Sequence, residues 1–266
     1  EGSMEKILIR EKKDNIEILT LNDPKKLNAL SEEMLSSLEM AFDEISKDKE
    51  VKVVIIRSSG RPFCAGHDLK QMQLARQTED LGKQYFSDLF KRCGRMMISI
   101  TKLTQPVIAS VDGIATAAGC QLVATCDLAI ASSDATFGVN GVNIGLFCST
   151  PMVALSRNIS KKKTFEMLIT GDFLDASSAR SAGLVNNVVD PRDLNAETFK
   201  MAKKIAAKLS AAVKVGKEAF YNQSEMDLES AYTYTAEVMA ENMLFNDTSE
   251  GINAFLEKRT PNWPDN

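Results

Sequence analysis

Two short stretches near the start, ILIR and IEILTL, alternate apolar and polar residues around Lys13-Asp14-Asn15. That alternation predicts a β-hairpin, Ile7–Arg10 with Ile16–Leu21, which Asp23-Pro24 then breaks. Ser31 followed by Glu32 and Glu33 reads as a helix N-cap. Met34, Leu35, Leu38, Phe42 and Ile45 then recur on one helical face. VKVVIIRSSG is a buried strand ending in a turn. The polar loop FCAGHDL follows, and then a helix from about Leu81 to Leu103.

PVIASVDG reads as a second apolar strand, AAGCQLVATC as a short helix of small residues, and DLAIAS as a third strand. GLFCSTPMVALSRN and KKKTFEMLIT read as helical, Asp175–Ala182 as a short helix and LVNNVV as a fourth strand. From Pro191 to about Lys258 the pattern is helical. Strand–helix alternation of this kind predicts α/β layers on a largely parallel sheet. The expected division is a core over 1–190 and a helical C-terminal segment over 191–266, within one domain. Ala231, Met239, Met243, Leu244 and Phe255 make that segment apolar enough to need a surface, on its own body or on another subunit. No linker or fixed-period repeat interrupts the chain.

A length of 266 residues suits one large domain or two small ones. The net charge is −4, and the one tight basic run, Lys161-Lys162-Lys163, reads as a solvated helix start. A nucleic-acid partner would call for a basic excess, so none is expected. No apolar run approaches the roughly 18 residues of a membrane span. The five cysteines, an odd count without a C-x-x-C pair, read as free thiols. With a single histidine they offer no metal site. The leading Glu-Gly-Ser-Met reads as an added remnant, and no signal or transit peptide is read before it.

His67, the only histidine, stands between Gly66 and Asp68. The obvious reading is a general base oriented by a carboxylate. A second reading comes from the small residues around it. Cys64-Ala65-Gly66 and the run Ala115 through Gly119 let a ligand approach the backbone. The helix AAGCQLVATC would also present unpaired N–H groups at its start. Two such groups aimed at one point make an oxyanion hole. Tight helix–strand packing explains the same small residues, and spacing alone leaves both open.

RPFCAGHDLKQM, VDGIATAAGCQLVATCDLAIASSDATFG and LITGDFLDASSARSAGLV, with LNDPKKLNAL and EGINAFLEKR, resemble the enoyl-CoA hydratase/isomerase (crotonase) superfamily, in order and over nearly the whole chain. The resemblance implies a ClpP-like spiral of strand-strand-helix turns, with C-terminal helices that assemble a homotrimer or a dimer of trimers. It implies an acyl-CoA thioester as substrate or ligand, with no separate cofactor, and a place in mitochondrial (matrix) fatty-acid or lipid metabolism after removal of a transit peptide. The backbone N–H groups of His67 and Ala118 would hold the thioester oxygen. The side chain at 67 varies among relatives and is not expected to be a base, although it could border the CoA or reach Asp68. Asp68 would hold the loop's shape. Ala65, Leu69, Lys70 and Lys25 would contact adenine and phosphates, with Lys258 reaching in from a neighbouring subunit.

Two positions depart from the resemblance. Where hydratases carry paired glutamates, this chain has Gln121 and Gly141. Hydration needs a base for water and an acid for Cα, and neither residue titrates. Asn140 and Asn143 can only orient. Cys148 reads as buried packing, Asp127 and Asp134 as structural carboxylates, and Asp172 and Asp175 as caps and turns. The expectation is an acyl-CoA-binding protein with little or no ordinary hydratase activity, in which restoring both glutamates restores hydration. One alternative is different crotonase chemistry (decarboxylation, condensation or isomerisation), with Gly141 leaving room for a bound anion. The other is a non-enzymatic CoA-binding trimeric scaffold.

Overall fold

The computed structural model describes residues 6–264 and 266. The Glu-Gly-Ser-Met leader lies outside the described residues. β1 (Leu8–Lys13) and β2 (Ile16–Leu21) form the expected antiparallel hairpin. Its first strand runs three residues past Arg10, and the turn contracts to Asp14-Asn15. Both turn residues adopt positive φ, 53° and 65°, the conformation that a two-residue hairpin requires and Asp and Asn tolerate.

β3 (Val53–Ser58), β4 (Val107–Val111), β6 (Leu128–Ser132) and β9 (Asn187–Val189) extend this sheet by parallel pairing in the order β1-β2-β3-β4-β6-β9. Every residue of β2 and β4 is buried, as expected of strands covered on both faces. On one face lie α1 (Glu32–Ser46), α3 (Lys83–Lys102) and α4 (Ala118–Thr125). There Leu19, Leu38, Phe42, Ile56, Met96 and Leu122 join one core cluster. Ser31 caps α1 by accepting from the Met34 N–H. On the other face Ile16, Ile18, Val53, Ile55 and Ile108 pack against Phe199, Ala202 and Ile205 of α8 (Leu194–Ala206).

Two features escaped the periodicity. α2 (Leu69–Ala75) follows the FCAGHDL loop directly. A second sheet, order β5-β7-β8, is made of β5 (Ile114–Thr116), β7 (Thr136–Gly138) and β8 (Leu174–Asp175). Strands of two or three residues are too short to show a period. α5 (Ser149–Ser156), α6 (Lys161–Thr170) and α7 (Ala176–Ala182) close this side.

The helical tail continues through α9 (Ser210–Gln223), α10 (Leu228–Met243) and α11 (Asn246–Leu256). A buried ion pair pins α9 to the core. Lys217 Nζ lies 2.8 Å from Asp127 and also donates to the Ile100 and Gln105 carbonyls, and the Tyr221 hydroxyl donates to Asp127. Asp127 is thus the structural carboxylate the sequence suggested, as is Asp134, paired with Arg61. α10 buries none of its residues, and Tyr232, Met239 and Met243 on it, Leu244 at its C-cap, and Phe255 and Leu256 on α11 stand exposed. Among the described residues no helix is long and apolar enough to cross a membrane, and no group of His, Cys, Asp or Glu could hold a metal ion.

Candidate functional site

The loop after β3 is fixed by backbone hydrogen bonds. The Phe63 and Cys64 N–H groups donate to the Ile114 carbonyl, and the Thr116 N–H donates back to the Cys64 carbonyl at 3.0 Å. The Ala65 N–H donates to Leu27, and the Leu30 N–H to Gly66 at 2.7 Å. Gly66 has φ +90°, and a Cβ there would lie 3.1 Å from the Ala118 nitrogen. The residue before His67 therefore runs against the first turn of α4. A Cβ on Gly119 would overlap the Cys64 carbonyl, lying 2.7 Å from its carbon. Tight packing and the candidate oxyanion hole are one arrangement: the close approach brings the two N–H-bearing segments together. Among the described residues, neither the His67 N–H nor the Ala118 N–H donates to a protein acceptor. Ala117, the N-cap of α4, has φ 53° and ψ −123° and offers no side-chain cap. Sequence reasoning missed this strained residue, because nothing marks an alanine as having positive φ.

His67 and Asp68 do not form a pair. The Asp68 carboxylate accepts the Lys70 and Gln71 N–H groups at 2.9 and 3.2 Å and so caps α2. It holds the loop's shape, as expected, and does not reach the imidazole. Both ring nitrogens of His67 are buried without a hydrogen-bond partner, and the ring stands edge-on to Phe90 of α3 at 5.4 Å. Burial pushes the His67 pKa down to about 4, and the Leu30 carbonyl, outside hydrogen-bond geometry, opposes this only in part. The imidazole is neutral at pH 7.

Gln121, three residues after Ala118 on α4, is buried, and its Oε1 has no donor. Helical side chains lean toward the N-terminus, so its amide lies over the turn that carries the Ala118 N–H. Gly141 opens a 3₁₀ turn, Gly141–Ile144, and its carbonyl accepts from the Leu146 N–H. A Cβ there would overlap the Leu146 carbonyl and lie 2.9 Å from Cys148 Sγ. On the side where a side chain would project, Gly141 leaves no gap, because the Leu146 carbonyl and Cys148 Sγ already occupy it. Cys148 is buried, and burial raises its pKa. Asn140 Oδ1 accepts from the Thr116 hydroxyl at 2.7 Å, tying the end of β5 to this turn. Asn143 packs against Gly171 instead.

The Ala65–Leu27 hydrogen bond also brings the 3₁₀ turn Pro24–Lys26 beside the loop. Lys25, Leu69 and Lys70 are exposed there, and Ala65 is half-buried. Lys258 follows α11, which packs on α10, and none of its described contacts reaches this loop.

The family model for enoyl-CoA hydratase/isomerase matches residues 11–266. Human enoyl-CoA hydratase domain-containing protein 3, mitochondrial, is 44% identical over 250 residues, 94% of this chain and 81% of that one. A crystal structure of that human protein superposes with a TM-score of 0.91 at 43% identity, covering 97% of this chain and 100% of that one. An enoyl-CoA hydratase structure from Mycobacterium smegmatis superposes with a TM-score of 0.93 at 51% identity, covering 97% of this chain and 99% of that one.

Proposed function

Because this chain belongs to the enoyl-CoA hydratase/isomerase family, we propose that it binds an acyl-CoA thioester with the thioester oxygen between the His67 and Ala118 N–H groups. Ordinary enoyl-CoA hydration by it is absent or very slow. The observation that carries this reading is a free backbone donor pair in surroundings that do not titrate near neutrality. Two fixed N–H groups stabilise the negative charge that develops on the oxygen when an enolate forms. Adding water to an enoyl thioester further requires a group to take a proton from water and one to deliver a proton to Cα. Gln121 is an amide and Gly141 has no side chain. His67 holds a proton only below about pH 4, and burial raises Cys148.

A second reading follows from the same observation. A donor pair without a base suits formation of an enolate by loss of CO2 from a carboxyacyl thioester. The C–C bond breaks, its electron pair moves into the enolate, and Cα takes a proton from water. The exposed apolar residues of α10 and α11 support assembly into a trimer or dimer of trimers. The exposed Lys25 and Lys70 suit the phosphates of CoA, with Lys258 supplied by a neighbouring subunit. The names of the human, mouse and rat relatives carry a mitochondrial location, which supports the same compartment here, and a role in lipid metabolism rests on the acyl-CoA reading alone. The 51%-identical hydratase comes from a bacterium, so the fold by itself carries no compartment.

Two measurements test the proposal. Calorimetry with CoA and a short acyl-CoA is expected to show binding, and its absence at millimolar ligand contradicts the reading. A mass-spectrometric turnover screen over enoyl-, malonyl- and β-keto-CoA is expected to leave the enoyl thioester unhydrated. Rapid hydration would contradict it.

A further inference from the structure

The end of β5 is held on three sides. The Thr116 N–H donates to the Cys64 carbonyl and the Ala117 N–H to the Gly138 carbonyl, each at 3.0 Å. The third hold is a side-chain bond, from the Thr116 hydroxyl to Asn140 Oδ1 at 2.7 Å. Thr116 is buried, and Asn140 stands at the N-cap of the 3₁₀ turn Gly141–Ile144. An asparagine at such a place ordinarily spends its amide on its own turn. This one makes no such cap and reaches back to a residue 24 positions earlier. Thr116 is followed by Ala117, with its φ of 53° and ψ of −123°, and then by the Ala118 N–H. We propose that Asn140 is a positioning residue, which acts through the Thr116 hydroxyl to aim the Ala118 N–H at the thioester oxygen. The inference rests on the acyl-CoA reading and names what holds the second donor of that reading in place.

The Ala118 N–H belongs to the peptide plane that follows Ala117, so the Ala117 torsions set its direction. A strained residue keeps its torsions only where its surroundings over-determine them. Ala117 bears a methyl group and offers no side-chain cap, so nothing of its own fixes them. The bond at Thr116 does so from the preceding residue. A β-branched side chain has little χ1 freedom, so holding its hydroxyl also holds its backbone. Asn140 is itself anchored, because its carbonyl accepts the Asn143 N–H at 3.0 Å.

The test compares Thr116→Val and Asn140→Ala, each of which removes the bond, with Thr116→Ser and Asn140→Asp, which keep a donor and an acceptor. Calorimetry reads the affinity for butyryl-CoA and for free CoA, which has no thioester carbonyl. Infrared spectroscopy reads the carbonyl band of bound butyryl-CoA labelled there with carbon-13. Thr116→Val and Asn140→Ala are each expected to weaken butyryl-CoA about fivefold, the effect of about one hydrogen bond, and to leave free CoA unchanged. The carbonyl band should move back toward its aqueous position in both. The two together should cost no more than one alone, because they remove the same bond. Thr116→Ser and Asn140→Asp should restore affinity and band. Equal losses for butyryl-CoA and free CoA, an unmoved band, or unfolding of both variants would make the bond a support of the fold only and overturn the inference, while acyl-CoA binding by the unmodified protein stands. If the unmodified protein binds neither CoA nor butyryl-CoA, the acyl-CoA reading itself fails and the inference with it.

Discussion

Gly119 lies against the Cys64 carbonyl so closely that a Cβ added to it would stand 2.7 Å from the carbonyl carbon and 2.9 Å from the Cys64 Cβ. The obstacle is mostly backbone and cannot swing aside. Gly119→Ala is therefore expected to force the loop and α4 apart, at a cost of about 1–3 kcal/mol. Chemical denaturation would measure the loss, and acyl-CoA affinity should fall with it because His67 and Ala118 separate.

Ala117 is the converse case. Its φ of 53° with ψ −123° is costly for a residue with a Cβ, typically by about 1–3 kcal/mol. Ala117→Gly relieves that strain and gives back part of the gain in unfolded-chain entropy. A net stabilisation of about 1 kcal/mol is expected, seen as a melting temperature a few degrees higher.

Glutamates placed at both 121 and 141 are not expected to create a hydratase. From sequence alone, Gln121→Glu with Gly141→Glu is expected to create one. The Leu146 carbonyl and Cys148 Sγ occupy the space a side chain at 141 would need. The double variant is expected to lose stability and to hydrate crotonyl-CoA no faster than the parent. The loss of the enoyl absorbance would follow the reaction, and a folded, fast-hydrating variant would refute this account of Gly141.

What the sequence made legible follows from the length scale of each feature. α1 showed itself through five apolar residues on one face and a Ser31 cap, all of which the structure retains. The core strands β3, β4 and β6 were visible because each is an apolar run buried on both faces. β5, β7 and β8 were not, having two or three residues each. α2 was lost because Asp68, its N-cap, looked like half of a catalytic pair. The backbone donors became candidates mainly through resemblance, since an N–H group leaves no mark on residue type. The crowding at Gly141 was invisible because it depends on a carbonyl five residues along a turn.

His67 makes stability depend on pH. Its pKa falls from 6.5 in the unfolded chain to about 4 in the folded one, so the unfolded state binds the extra proton first. Stability is whole above about pH 6.5 and declines as pH falls toward 4. The group's full effect is on the order of 3 kcal/mol. The difference in unfolding free energy between the unmodified protein and His67→Phe, followed from pH 7 to 4, should show this decline. A flat difference would mean that the ring is not held neutral by burial.

The claim that the His67 and Ala118 N–H groups hold a thioester oxygen is tested most directly by the carbonyl stretch of a bound acyl-CoA. An isotope-edited infrared difference spectrum of butyryl-CoA, carbon-13 labelled at the thioester carbonyl, isolates that one bond. Two hydrogen bonds from fixed donors polarise it, so the band is expected to move to lower frequency on binding than in water. His67→Pro, which removes one donor, should return part of the shift, whereas His67→Ala should keep it. A bound thioester whose carbonyl band stays at its aqueous position would contradict the account.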